Sequence, residues 1–114
     1  MQTVTIAEKL WLEPTPLGVT LNFYEDAKRL HFRVGISFES LLHCESALRE
    51  PKILWALSDR SLLLFGDTQG LTLAFSAVST AAPVRVSMVL TGRELQAFTR
   101  AMNHFSAVAL ARFN

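Results

Sequence analysis

The chain has 114 residues, about the length of one domain, and carries 50% hydrophobic but only 18% charged residues. This composition excludes intrinsic disorder, and the five glycines and four prolines exclude collagen-like and low-complexity sequences. Eleven basic and ten acidic side chains leave a net charge of +1, too small to attract nucleic acid through the whole chain.

The first third of the chain alternates apolar and polar residues, which is typical of β-strands. The alternation covers residues 4–12, 19–24 and 30–37, and the Pro14-Thr15-Pro16 step ends the first run. Glu25-Asp26-Ala27-Lys28 has the length of a hairpin turn between the other two runs. The face of this hairpin turned away from the core is predicted to carry Thr20, Asn22, His31 and Arg33.

Residues 38–50 predict a short helix, since Ser37 can cap its start and Pro51 ends it. Glu45 falls on the apolar side of this helix and can pair with Arg49 one turn later. Such a pair would be structural, whereas an unpaired Glu45 could contact a ligand. Cys44 in the same helix is interpreted as a small, inert core side chain.

The central part of the chain contains four short apolar runs separated by turn sequences, which is typical of an antiparallel meander. These runs are residues 53–57, 62–65, 71–78 and 84–90. The first run could instead continue the preceding helix beyond Pro51, and its periodicity does not decide between the two.

The end of the chain predicts a long amphipathic helix. Thr91 and Glu94 have capping-box spacing, and apolar residues then recur at three- and four-residue steps as far as Ala109. An apolar sheet face must be covered, and the two helices can cover it. We therefore predict a single α+β domain over residues 1–114, in which an antiparallel sheet of short strands packs with a short central helix and this C-terminal helix.

The sequence contains no recognisable motif for catalysis, cofactor binding or metal binding. It lacks a G-x-S-x-G nucleophile motif and a glycine-rich phosphate loop. His43 and Cys44 are adjacent, so on a helix their side chains diverge and cannot both face one ion comfortably. We expect neither enzymatic activity nor a cofactor nor a metal.

Cysteine content and the N-terminal segment predict a cytoplasmic protein. Cys44 is the only cysteine and cannot form a disulfide within the chain. Glu8 and Lys9 interrupt the first apolar segment, whereas a membrane-spanning helix needs about 20 apolar residues in a row.

Nucleic acid is not an expected partner. Binding would favour a basic stripe interleaved with exposed aromatic residues, but Phe98 and Phe105 belong to the buried side of the last helix. Three charges neutralise few phosphates. The chain has two basic clusters, and each carries no more than three such charges. They are Lys28, Arg29 and Arg33 near the first hairpin, and Arg93, Arg100 and His104 on the last helix.

Apolar residues exceed what a two-layer core has to bury, with eight Phe, two Trp and a mean hydropathy of +0.27. The run Leu62–Phe65 is apolar on both faces of its strand and needs cover on both. We therefore predict a non-catalytic interaction or regulatory module that associates with itself or with another protein, as a homodimer in the simplest case. The predicted interface residues are Leu62, Leu64, Phe65, Phe98 and Phe105.

The alternative is a small-molecule-binding protein with an apolar pocket between sheet and helix. Its predicted ligand-binding residues are Trp11, His31, Glu45, Arg49 and Trp55. A mass near twice 12.7 kDa would support the homodimer, whereas quenching of tryptophan fluorescence by small apolar molecules would support the pocket.

Overall fold

Four strands followed by one helix occur twice in succession in the computed structural model, which describes residues 2–78 and 83–113. The first half comprises β1 (Val4–Ala7), β2 (Leu10–Thr15), β3 (Gly18–Glu25), β4 (Leu30–Ser37) and α1 (Phe38–Leu48). The second half comprises β5 (Lys52–Ala56), β6 (Leu62–Asp67), β7 (Leu71–Val78), β8 (Pro83–Leu90) and α2 (Gly92–Phe113). The predicted α+β class and both predicted helices are confirmed, and residues 53–57 belong mainly to a strand.

The strands form two separate antiparallel meanders rather than one sheet. Sheet A has the order β1-β2-β3-β4 and sheet B the order β5-β6-β7-β8. Aspartates shape two of the turns in sheet B, because a carboxylate can accept backbone N–H groups two residues ahead. Asp59 accepts the N–H of Ser61 at 2.9 Å, and Asp67 accepts the N–H of Gln69 at 2.8 Å.

The first alternating run is divided into two strands, which its sequence did not indicate. Glu8 and Lys9 form the turn between β1 and β2. The predicted break at the Pro14-Thr15-Pro16 step is confirmed, since β2 ends at Thr15, although Pro14 itself belongs to the strand. Strand β1 pairs with β2 only as far as Leu12, so Pro14 lies where β2 has a single neighbour and a missing N–H is tolerated.

The inner faces of both sheets share one apolar core with the two helices. Phe75 of β7 stacks on Phe23 of β3 with 5.0 Å between ring centroids and lies 5.6 Å from Phe32 of β4. Helix α2 packs against α1, β1 and β3, and the Ser106 hydroxyl donates to the backbone carbonyl of Leu41 at 3.2 Å. Both halves of the chain therefore contribute to the same core.

Four of the five predicted interface residues lie inside this core. Leu62 and Leu64 are buried on the inner face of sheet B, and Phe98 and Phe105 are buried on α2. Only Phe65 of the five is exposed. The prediction that Phe98 and Phe105 of the last helix lie in an interface is wrong, because α2 packs with α1, β1 and β3 in the core and both side chains are buried there.

Candidate functional site

Each sheet has an outer face that neither helix covers, because both helices pack on the inner side with the core. On sheet B, strand register places side chains of this outer face in rows across the four strands. The first row, here the large row, contains Leu54, Phe65, Thr72 and Val89. The next row, here the small row, contains Ala56, Leu63, Ala74 and Ser87. Together the two rows form the sheet B face.

The sheet B face exposes large apolar side chains to water. Leu54 is 74% exposed, Val89 58% and Phe65 40%. Large contiguous apolar patches on soluble proteins usually mark contacts with another molecule. Sequence reasoning included Phe65 but missed Leu54, because residues 53–57 were equally compatible with a helix, and it missed Val89.

The two ends of the sheet B face differ in charge. A groove of about 540 Å³ runs over the small row, from Leu54 at one end to Arg60 and Arg85 at the other. Trp55 also lines this groove, as the only one of the predicted ligand-binding residues to do so. Beyond the large row, Lys52 and Asp67 are cross-strand neighbours. One end is therefore cationic, whereas the other carries one positive and one negative side chain.

The turn that holds Arg60 at the cationic end has a fixed conformation. Arg60 has a left-handed backbone with φ of 62°, and its N–H donates to the carbonyl of Leu57 at 2.9 Å. The neighbouring Asp59 accepts both the backbone N–H and the hydroxyl of Ser61, and these hydrogen bonds hold the pKa of Asp59 below its ordinary value.

The outer face of sheet A carries a second candidate surface, built from aromatic rings. Trp11 of β2, Tyr24 of β3 and His31 of β4 lie on three adjacent strands, and we name them the ring cluster. The Trp11 and His31 rings are 5.5 Å apart between centroids, and the His31 and Tyr24 rings are 6.5 Å apart. The predicted ligand-binding residues Trp11 and His31 are thus neighbours in the structure.

Hydrogen bonds hold the ring cluster in place through a fully buried amide, that of Asn22. A Glu13 carboxylate oxygen accepts the Trp11 indole N–H and the Asn22 amide N–H, each at 3.0 Å. The Asn22 carbonyl oxygen lies 3.1 Å from Nε2 of His31. Because that oxygen can only accept, the imidazole donates from Nε2, and the chain from tryptophan to histidine is continuous.

The other predicted ligand-binding residues lie elsewhere. On α1, Nε of Arg49 donates to a carboxylate oxygen of Glu45 at 2.5 Å, so the predicted helical pair is confirmed. The adjacent Cys44 is buried, and burial, with a smaller effect from the Glu45 charge, raises the pKa of its thiol to about 12. The five predicted residues therefore do not form one site.

A cleft of about 590 Å³ lies where the predicted pocket between sheet and helix was expected. Its lining includes Leu48, Ile53 and Leu95 together with the polar Asp67, Thr99 and Arg100. None of the predicted ligand-binding residues lines it. The small-molecule prediction therefore has a cavity in the expected place but not the residues named for it.

Residues 2–78 and 83–113 include no group of three His, Cys, Asp or Glu side chains placed to hold a metal ion. No helix in this part of the chain is long and apolar enough to cross a membrane. Comparison with protein families, with curated proteins and with solved structures finds no match to this chain. Function is therefore inferred from the two outer sheet faces.

Proposed function

We propose that this protein is a non-catalytic interaction module that forms a homodimer by burying the sheet B face. The observation that supports this proposal is the row of exposed apolar side chains, Leu54, Phe65 and Val89, on a sheet face that no helix covers. Removing such side chains from water is the main favourable contribution to protein association.

The size of the sheet B face suits a dimer. Four strands at their usual spacing are about 19 Å wide. The two rows of the sheet B face and the two rows that flank them, with Lys52 and Asp67 at one end and Ser76 and Arg85 at the other, extend about 27 Å along the strands. Two such faces bury about 1,000 Å² in total, which reaches the lower limit for a specific interface.

The pattern of side chains on the sheet B face favours a second copy of this chain as the partner. Consider a two-fold axis that lies in the interface, runs between the large and small rows and is perpendicular to the strands. This axis places each copy's large row on the other copy's small row. Leu54 and Val89 then oppose Ala56 and Ser87 of the second copy, and large side chains facing small ones pack without voids.

The charged side chains at the two ends of the sheet B face favour the same two-fold axis. Rotation about this axis brings the end with Arg60 towards the end with Lys52 and Asp67 of the second copy, where one carboxylate is present beside one cation. A two-fold axis parallel to the strands would instead bring the two cationic ends together, so that Arg60 and Arg85 of one copy would face Arg60 and Arg85 of the other. We therefore propose the perpendicular axis.

The test compares two exposed leucines. Leu54→Lys places a charge in the proposed interface, where burying an ammonium group is costly, and we expect dimer dissociation to increase at least about a hundredfold. Leu17→Lys is the matched control, since Leu17 is 79% exposed but lies in the turn between β2 and β3 of sheet A. Sedimentation equilibrium over a range of concentrations gives both constants.

The wild-type chain and the Leu17→Lys variant should have masses near twice 12.7 kDa, while the Leu54→Lys variant should be a monomer. A wild-type chain that stays monomeric at the highest concentrations, or two variants that dissociate equally, would contradict the proposal.

A further inference from the structure

The ring cluster provides a surface on which a planar ligand can stack. Its rings come from three neighbouring strands of one antiparallel sheet and lie on the side open to solvent. Tyr24 and His31 are exposed, and Trp11 is half-buried beside His31. Nucleobases stack on aromatic side chains that a sheet presents in this way, whatever their sequence.

The buried hydrogen bonds make this surface rigid before any ligand arrives. Asn22 is fully buried between Glu13 and His31 and is bonded to both. A ring already held in one orientation loses little conformational freedom when a base stacks on it. The geometry therefore favours binding rather than simple solvent exposure.

Positive charges near the ring cluster are free to meet an anion. Arg33 lies beside Asn22 in the strand register, and Lys28 and Arg29 lie in the turn between β3 and β4. All three side chains are exposed, and none forms an ion pair within the described part of the chain.

The nearby carboxylates are already engaged. Glu13 accepts from Trp11 and Asn22, Glu25 accepts the backbone N–H of Ala27, and Asp26 pairs with Lys9. Their negative charges are partly compensated by these donors, which reduces their repulsion of a phosphate.

We propose that the outer face of sheet A binds single-stranded nucleic acid. The ring cluster stacks on unpaired bases, and Arg33, with Lys28 and Arg29, contacts the phosphates. A duplex is excluded as the preferred ligand, because its bases are already stacked and paired and cannot reach the rings. This site lies on sheet A, separate from the sheet B face, and does not depend on the proposed dimer.

The reasons given above against nucleic acid do not apply to this face. The first reason was that three charges neutralise few phosphates. The second was that Phe98 and Phe105 are buried, as the structure shows. Stacking depends on neither, and it contributes affinity without neutralising a phosphate. With no more than three phosphate contacts, the logarithm of affinity should fall with the logarithm of salt with a shallow slope of about −2.

The chain offers a matched pair of tryptophans for the test. Trp55→Phe leaves Trp11 as the only tryptophan, and Trp11→Phe leaves Trp55, which lies on sheet B. Excitation at a wavelength that tryptophan absorbs and tyrosine does not keeps Tyr24 out of the signal. The probe is an oligothymidylate of about twelve nucleotides. We expect saturable quenching in the Trp55→Phe variant and none in the Trp11→Phe variant.

Variants then separate stacking from charge, with affinity measured by anisotropy of a labelled oligothymidylate. His31→Ala should weaken binding at least about fivefold through the loss of one stacking ring. Arg33→Ala should weaken binding and reduce the salt slope by about 0.7. Arg85→Ala, which removes an exposed arginine from the outer face of sheet B, should change neither.

Four results would overturn the proposal. The first three are the absence of binding to the oligothymidylate, equal affinity for a duplex of the same length, and unchanged affinity in both the Trp11→Phe and His31→Ala variants. A far steeper salt slope would also overturn it, because it would mean that charges elsewhere on the chain dominate. Leu54→Lys should leave this binding intact, so its outcome is distinguishable from failure of the dimer.

Discussion

At the scale of single residues, Cys44 shows how burial changes a side chain's chemistry. Its thiol has a pKa raised to about 12 from 9.0, so the folded chain favours the protonated form. This contribution to stability is complete below pH 9 and is lost as the pH rises towards 12. The free energy of unfolding should therefore fall with pH more steeply than in Cys44→Ala, by up to about 1.4 kcal/mol per pH unit above pH 9.

Denaturant titrations of both proteins between neutral pH and pH 11 measure this difference. A constant difference between the two proteins over that range would show that the thiol ionises as easily in the folded chain as in the unfolded one. The native thiol should also resist thiol reagents at neutral pH and react once the chain is unfolded, because only the thiolate is nucleophilic.

Asn22 shows what a pattern along one strand can and cannot predict. The alternation of residues 19–24 placed it correctly on the outer face with His31 and Arg33, as the register confirms. That pattern implied an exposed side chain, whereas Asn22 is fully buried. Trp11 and Glu13, which enclose it, come from a strand whose register was not evident in the sequence.

At the scale of elements, Gly66 sets the shape of the hairpin between β6 and β7. Its φ is +146°, and a Cβ added there would lie 2.2 Å from the carbonyl oxygen of Gly70. Gly66→Ala should therefore lower the free energy of unfolding by more than about 1 kcal/mol. Gly35→Ala is the matched control in β4, where an added Cβ meets nothing within 4 Å, and it should be neutral or stabilise the fold by up to about 1 kcal/mol.

Urea unfolding midpoints of the two alanine variants give the comparison. Equal midpoints would mean that the hairpin backbone adjusts freely at Gly66 and that the close approach to Gly70 has no energetic consequence.

Most elements could be predicted because their signals are local. The hairpin of β3 and β4, the two helices and the meander follow from alternation, capping residues and turn sequences. The side of an element that meets solvent is not local. Residues 62–65 were correctly interpreted as apolar on both faces, yet only the fold shows that Leu62 and Leu64 face the core while Phe65 is exposed.

At the scale of the whole molecule, the predicted excess of apolar residues has a location. Most large apolar side chains of the described residues lie in the shared core, and three of the six exposed ones, Leu54, Phe65 and Val89, lie in one row of the sheet B face. The sequence could not locate this face, because the relation of sheet A to sheet B depends on packing between the two halves.

The arrangement of the proposed dimer can be tested by its charge pair. Arg60→Ala should weaken dimerisation several-fold, because it removes the attraction between Arg60 and Asp67 of the second copy. In an Asp67→Asn background the same change should add little, since that attraction is already gone. Sedimentation equilibrium of the wild type, the two single variants and the double variant completes the cycle.

Additive effects of Arg60→Ala and Asp67→Asn would reject the two-fold axis perpendicular to the strands, even if Leu54→Lys shows that the sheet B face is the interface. Asparagine is chosen at position 67 because its side-chain oxygen can still accept the N–H groups of Gln69 and Gly70 in the turn.

The ring cluster and the sheet B face lie on different sheets. A homodimer joined through sheet B would therefore carry two ring clusters, one on each copy. A single-stranded nucleic acid long enough to reach both clusters could bridge them, and its second attachment would profit from a high effective concentration. Shorter nucleic acids could not reach both ring clusters, so avidity would begin only above a threshold length.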